Sequence, residues 1–565
     1  MNNTLQAKLV TQLEKHPDRR ALTFVNSNGE FSWQTFEQVY SKASAYAANL
    51  SQLGIGRGDI CILVLPSKEF CATMLIATLL INAVPLLVAP PTLQGFNTYL
   101  LQVLQRLIRK TRAKLVVASA SMQEMQEELK GIRKQTKVIF GEAALHTTGK
   151  LNLPLPFPDE NDIAGLQLTS GTTGFPRVCI WQQKNVIAAL DGMVQAMHLT
   201  DKDVCLNWTP LYHDMGLVNN FFTCLTNGLP LAMLNPMDFV KNPSLWLRSL
   251  TDTGATVTWS PNFGFAITTK WARDSELEGV RLEHVKGFWN AAERIHLDTI
   301  TAFYERFAPY GVKYESLKTN FGCAENVGGA TFSDPDGTFP SEWVDTELLH
   351  QKRIARVTQH SGHNGKTTSV VGVGRPHPGI RIKILSKRGR ELPDGHVGEI
   401  ALDTPSRMTG YMGNARETNK ATRGGFLRTG DLGYLRGDEL FWVGRVKERI
   451  TIRGKKLDPS DFERVLLNIP GLRPGCFVAF GVDNHKTGTQ KIVIVSEVRN
   501  AGTSRPYSEI SEDIREQVSL QLGVPVSETV LVPKGTLTKT SSGKRRHRYF
   551  RDLYLNGQFD SIKFG

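Results

Sequence analysis

Cysteine is scarce and unpatterned. The seven residues, at 61, 71, 179, 205, 224, 323 and 476, are odd in number, scattered and free of any C-x-x-C pair. That argues against a disulfide scaffold or a zinc ribbon and suits a reducing cytoplasm. The G-x-x-x-x-G-K-[ST] phosphate loop is missing too: the nearest string, GKT at 365–367, has His360 where the first glycine belongs. No zinc finger, RNP motif, internal repeat or low-complexity segment is present. The start, MNNTLQAKLVTQLEKHPDRR, has no apolar core, so no signal peptide is expected. One long apolar run exists, CATMLIATLLINAVPLLVAPP at 71–91. Asn82 and Pro85 divide it and the strand-like CILVLP precedes it, so it reads as a buried strand–helix–strand passage and not as a membrane span.

Acidic residues are in deficit: 54 Asp and Glu against 67 Lys and Arg leave a net charge of +13. A basic surface suits a polyanionic partner. The basic clusters are RLIRKTRAK at 106–114 and GKRRHRYFRD at 543–552, each of which also reads as a solvated helix face. With no recognition motif, nucleic acid is not the expected partner. The 41% hydrophobic and 21% charged content is that of a globular protein, and 565 residues exceed what one core holds.

The first 340 or so residues alternate aliphatic runs with longer amphipathic stretches. Strands are predicted near 60–65, 84–88, 114–118, 163–169, 229–233, 256–259 and 285–289. Such alternation implies α/β layering on largely parallel sheets. From about 370 to 443 the runs shorten and glycines punctuate them, as in a small β subdomain. A mixed tail follows Gly444: a hairpin-like FWVGRVKERITIRG, a helix from Pro459, strands near 476–482 and 491–498, and a helix near 508–522.

The strongest local signal is LQLTSGTTGFPR at 166–177. A strand ends at Thr169 and a Ser/Thr/Gly loop follows. Gly171 and Gly174 allow backbone N–H groups close to an anion. The hydroxyls of Thr169, Ser170, Thr172 and Thr173 can donate to phosphate oxygens, and Arg177 adds a cation. Alone, such a string is also what an ordinary loop looks like.

TSGTTGFPR resembles the phosphate loop of adenylate-forming enzymes: acyl-CoA synthetases, firefly-type luciferases and peptide-synthetase adenylation domains. Further motifs of that superfamily follow in order: NFGCAE at 320–325, VGEI at 397–400, RTGDLG at 428–433, GRVKERI at 444–450 and TSSGK at 540–544. Within it, WTPLYHDMGL at 208–217, LNPMDFVKNPSLWLRSL at 234–250, TWSPNFGFAI at 258–267 and NAAER at 290–294 look like fatty acyl-AMP ligases. The resemblance implies a large N-terminal α/β adenylate-forming domain, 1–446, with layered sheets and a small β subdomain. A small mobile α+β C-terminal domain, 447–565, follows. It also implies a cytoplasmic ligase with ATP and Mg²⁺ as cofactors. A fatty acid would become acyl-AMP, and the acyl group would pass to the phosphopantetheine of an acidic acyl carrier protein.

Residue roles come with the resemblance. Glu325 is the Mg²⁺ carboxylate, a hard ligand suited to that ion. Phe321, between Asn320 and Gly322, lies against adenine where Tyr is usual, while Asn290, Ala291 and Ala292 follow the base edge through their backbone. Asp431 accepts from the ribose hydroxyls, and Arg445 makes a second ribose or phosphate contact. Lys544 is the adenylation lysine, offsetting charge as the carboxylate meets the α-phosphate. Lys447 is the hinge. His213 sits at the mouth of the acyl pocket.

There are departures. Arg177 and Val178 replace Lys-Gly, Ala291 stands where Gly is usual, and Arg294 stands where Pro is usual. Lys456, Leu457 and Asp458 depart from an Asn-His-aromatic pattern. The stretch from Glu325 to Gly374 spans 49 positions, longer than in coenzyme-A-using relatives. The excess lies at 344–369, where fatty acyl-AMP ligases carry an insertion. Val344, Leu348, Leu349, Ile354 and Val357 are available there to pack on the large domain. Two rivals remain: a fatty acid–coenzyme A ligase, and a catalytically weak acyl- or nucleotide-binding module that docks carrier proteins.

Overall fold

The computed structural model describes residues 3–91, 98–145, 156–169, 176–359, 366–446, 448, 450–452, 455–467, 469–484, 489–499, 505–539 and 545–559. The predicted strand–helix alternation folds into two large sheets. In one, Ile163–Leu168, Val84–Leu87, Ile60–Val64, Leu115–Ala118 and Lys137–Phe140 run parallel in that order. Val178–Gln182 and Gly410–Tyr411 extend its edge antiparallel. Cys61 and Leu63 enter one core cluster while Ile62 and Val64 enter another. Both faces are therefore covered, which is why the strand reads as a continuous apolar run. Every residue from Cys71 to Leu80 of the helix Glu69–Leu80 is buried. Asn82, at φ 57°, then turns the chain into Val84–Leu87, so the long apolar run is core.

The second sheet has nine strands. Its parallel centre runs Leu317–Cys323, Gly287–Ala291, Val257–Pro261, Cys205–Asn207, Leu231–Leu234 and Arg20–Val25. Gly328–Phe332 folds back antiparallel on Leu317–Cys323. Residues of Phe36–Gln52, Glu69–Leu80, Gln183–Ala196 and the π-helical Met215–Phe222 share one core cluster with both sheets. The predicted small β unit is a four-stranded antiparallel sheet of Arg381–Leu385, Gly398–Asp403, Leu427–Arg436 and Glu439–Arg445.

FWVGRVKERITIRG is not one hairpin. Its first half completes the strand Glu439–Arg445, whereas Ile450–Ile452 pairs forward with Lys455–Leu457. The helix Pro459–Leu466 follows, then Leu472–Asn484, Thr489–Val498 and Glu528–Val532 in one sheet, with Tyr507–Leu522 packed on it. The extra stretch forms the ribbon Ser341–Asp345 with Thr367–Val371 and a π-helical turn, Leu348–Lys352. Val344 and Leu349 are buried as expected, but Ile354 and Val357 are 36% and 55% exposed. Ala355 fills the core in their place, because the chain crosses the sheet edge as single bridges and not in a helix or strand period.

Candidate active site

The parallel strands of an open α/β sheet present ligands at their carboxyl ends. There Ile163–Leu168 delivers Thr169, Gly287–Ala291 delivers Ala291 and Ala292, and Leu317–Cys323 leads to Glu325. Two adjoining cavities, of about 90 and about 310 Å³, share Ala292, Asn320, Gly322, Asp431 and Arg445 as walls. Thr169, Arg177, His213, Ala291 and Glu325 line the smaller one, and Phe321 the larger. Ser170, Gly171, Thr172, Thr173, Gly174, Lys447 and Lys544 lie outside the described residues. Their neighbours are placed: Lys539 and Arg545 line the larger cavity.

The loop neck closes tightly. The Thr169 N–H donates to the Arg177 carbonyl at 2.9 Å, and the Arg177 N–H to the Thr169 hydroxyl at 3.3 Å. Val178 opens the next strand, Val178–Gln182. The Arg177 guanidinium lies 4.2 Å from the Tyr411 ring centre, 3.4 Å from Glu325 and 3.5 Å from Glu417. Tyr411 donates its hydroxyl to Glu325 Oε1 at 2.6 Å. Burial first, and then the Glu325 charge, push the Tyr411 phenol up, so it stays a donor. Glu325 sits in the short turn Ala324–Asn326, and the following Val327 has φ 53°. A β-branched residue there is strained, as backbone near reacting groups often is. Ala292, which lines both cavities, also has a positive φ, 73°.

Asp431 and Arg445 face each other in register, with Arg445 Nε donating to Asp431 Oδ1 at 3.0 Å. The Asp431 charge is the main cause that raises the Arg445 pKa, keeping the guanidinium charged. Phe321 is buried at the larger cavity, its N–H donating to the Thr331 hydroxyl at 3.3 Å. Asn290 lines neither cavity; its side chain is buried and donates to Asn262 Oδ1 at 3.2 Å. His213 Nδ1 accepts from the Met215 N–H at 3.1 Å and lies 2.8 Å from Asp214.

Among the described residues no cluster of three or more His, Cys, Asp or Glu is arranged for a metal. A hard cation here would rest on the single carboxylate of Glu325 and on substrate phosphates, the usual manner for Mg²⁺. That donor chemistry fits. Sequence reading missed Tyr411, Glu417 and Gln167, whose buried Oε1 has no partner among the described residues. Tyr411 stands in GYMGN, a turn without charge or spacing to mark it; only its strand pairing beside the loop brings it to Glu325.

Layered sheets with two adjoining cavities at their carboxyl ends, walled by residues of several of the ordered motifs, define an adenylate-forming enzyme, a ligase. The AMP-binding enzyme family model matches residues 9–412, and the chain belongs to that family. It is 27% identical to the long-chain-fatty-acid–AMP ligase FadD26 of Mycobacterium marinum, covering 99% of both chains. It is 28% identical to the medium-chain-fatty-acid–[acyl-carrier-protein] ligase JamA of Moorena producens, over 96% of this chain and 93% of that one. A 4-hydroxyphenylalkanoate adenylyltransferase of M. marinum is 27% identical over 97% of this chain and 90% of its own. Among solved structures, one from work on fatty acyl-adenylate ligases of E. coli and L. pneumophila superposes with TM-score 0.89. It is 25% identical and covers 99% of this chain and 98% of that one.

Proposed function

We propose that the chain converts a fatty acid and ATP to acyl-AMP and pyrophosphate, then passes the acyl group to the phosphopantetheine thiol of an acyl carrier protein. The observation that carries the first step is the meeting of Thr169, Arg177, Glu325, Asp431 and Arg445 around one pair of cavities. The fatty acid as substrate and the carrier protein as acceptor are supported by the names of the similar ligases.

In this reading Thr169, with the loop through Gly174, holds the triphosphate, and Arg177 offsets its charge. Asp431 accepts from the ribose hydroxyls, Arg445 holds Asp431 in place, and Phe321 covers the adenine face. Asn290 acts through its backbone. Lys544 stabilises negative charge as the carboxylate oxygen attacks the α-phosphorus and pyrophosphate departs. His213 orients the incoming carboxylate. Mg²⁺, held by Glu325 and the phosphates, would supply charge neutralisation on the leaving pyrophosphate.

Residues 1–446 form the large domain and 447–565 the small one, which rotates about Lys447 between the two half-reactions. The π-helical turn of the extra stretch contacts the strand Lys455–Leu457, and its His350 lies 3.8 Å from Asp461. A segment packed against the small domain restricts the orientation that a free coenzyme A thiol requires, while a docked carrier protein brings contacts of its own. All seven cysteines are free thiols, which suits the cytoplasm. No helix among the described residues is long and apolar enough to cross a membrane.

The test is pyrophosphate release over a fatty-acid series, with carrier protein or coenzyme A added afterwards. Acyl-coenzyme A formed as readily as acyl-carrier protein favours the coenzyme A ligase. Absence of fatty-acid-dependent turnover favours the binding module.

A further inference from the structure

Arg294, one of the departures from the family pattern, meets in space a helix distant in sequence, Pro459–Leu466. Arg294 follows the base-edge segment where the pattern has proline. Lys456, Leu457 and Asp458, where the pattern has Asn-His-aromatic, lead into that helix, and Asp458 is its N-cap. Arg294 Nη1 donates to Asp461 Oδ1 at 2.7 Å and to the Ser460 hydroxyl at 2.9 Å. Both charged side chains are about nine-tenths buried, at 9% and 10% exposure. The other carboxylate oxygen, Asp461 Oδ2, accepts from the Asp458 N–H at 2.9 Å and faces His350 Nε2 at 3.8 Å. Asp458 in turn packs on the Gly444 backbone: a Cβ there would sit 2.2 Å from its Oδ2. One carboxylate thus joins the base-edge segment, the extra stretch and the first turn of the small unit's helix.

Proline has no N–H and no side-chain donor to reach across such a boundary. Arginine does, and a buried guanidinium–carboxylate pair is costly to leave half-made. In the arrangement so fixed, Lys539 and Arg545, which bracket the undescribed 540–544, line the same cavity as Asp431 and Arg445.

We propose that Arg294 is a positioning residue whose bond to Asp461 locks the C-terminal unit over the nucleotide cleft in the arrangement used for adenylation. It rests on the two half-reactions proposed above and names the contact that sets the balance between them. An Arg at this position ties the small unit's release to the segment that follows the base edge. Loss of the bond therefore slows the step that needs the TSSGK segment in the cleft and spares the step that does not.

The test uses the full chain with Arg294→Gln, Arg294→Lys and Asp461→Asn. Asp461→Asn keeps an acceptor for the Asp458 N–H, so it preserves the helix start should loss of Arg294 impair folding. Two readouts are taken: amide hydrogen exchange over residues 455–466, and the rates of the two half-reactions, the second started from synthetic acyl-AMP. Arg294→Gln and Asp461→Asn are expected to speed exchange in that segment. They should lower pyrophosphate release about tenfold with transfer nearly unchanged, and Arg294→Lys should fall between. Unchanged exchange, or equal loss in both half-reactions, overturns the proposal. If the parent forms no acyl-AMP, the functional reading fails, and exchange alone decides whether the lock exists.

Discussion

Each residue of the cleft is assigned a task by its chemistry, and each task has its own signature. If Lys544 acts as proposed, Lys544→Ala is expected to cut adenylation by about 10²–10³, the loss of one charge that offsets the forming negative charge. Transfer from synthetic acyl-AMP should survive; equal loss in both would contradict a lysine that leaves the site. Tyr411→Phe keeps the ring under Arg177 and removes only the 2.6 Å bond to Glu325. It should raise the Mg²⁺ concentration needed for half-maximal rate several-fold, roughly the effect of one neutral donor on a charged acceptor. Glu325→Gln should raise it further. An unchanged magnesium dependence in both would show that Glu325 holds no metal. At this scale the sequence was legible where a motif carries charge at a fixed place: Glu325, Asp431 and Arg445, picked out by their motifs, line one cavity. Tyr411 was not legible, since its partner lies 86 positions away and only an edge pairing joins them.

The elements that read most clearly are those whose periods are unambiguous. Ile60–Val64, Val84–Leu87 and Tyr507–Leu522 fall within a few residues of expectation. Boundaries set by tertiary pairing did not, as with the tail of 441–454, whose halves belong to different sheets. The same limit applies to the extra stretch, where Ala355 is buried and Val357 exposed against their hydrophobicity. The helix Pro459–Leu466 offers a test at this scale. Asp458 caps it, accepting from the Ser460 N–H at 3.0 Å. Burial first, then the Asp461 charge, push the Asp458 carboxyl up to about 6, with Arg294 opposing. Asp461 is pulled the other way, chiefly by Arg294 and His350 against its own burial. Between the ordinary carboxylate range and pH 6 the folded chain therefore holds a proton at Asp458 that the unfolded chain has lost. Stability from this group is present at low pH and is lost as pH rises through about 6. Asp458→Asn keeps the capping oxygen and removes the titration, so it should melt at a higher temperature than the parent at pH 8. That advantage should shrink toward pH 5, and an equal difference at both pH values would contradict the assignment.

On the scale of the whole molecule, the account rests on one cleft serving two reactions in turn. Among the described residues, 450–559 carry core clusters of their own, and Arg294 and His350 each face Asp461 across the boundary. Deleting about 20 residues within 344–369, a segment outside the two main sheets, should leave acyl-AMP formation largely intact and let some acyl-coenzyme A form. Loss of adenylation in a deletion variant that stays folded would make the ribbon part of the catalytic core. The division of labour is tested most directly by one measurement on the intact chain. Fatty acid, ATP and Mg²⁺ are supplied, pyrophosphate is followed, and carrier protein or coenzyme A is then offered to the enzyme-bound product. The account predicts a fatty-acid-dependent release of pyrophosphate, acyl-AMP that persists with coenzyme A present, and its discharge onto the carrier protein. Pyrophosphate release that ignores the fatty acid, or discharge onto coenzyme A as fast as onto carrier protein, would contradict it.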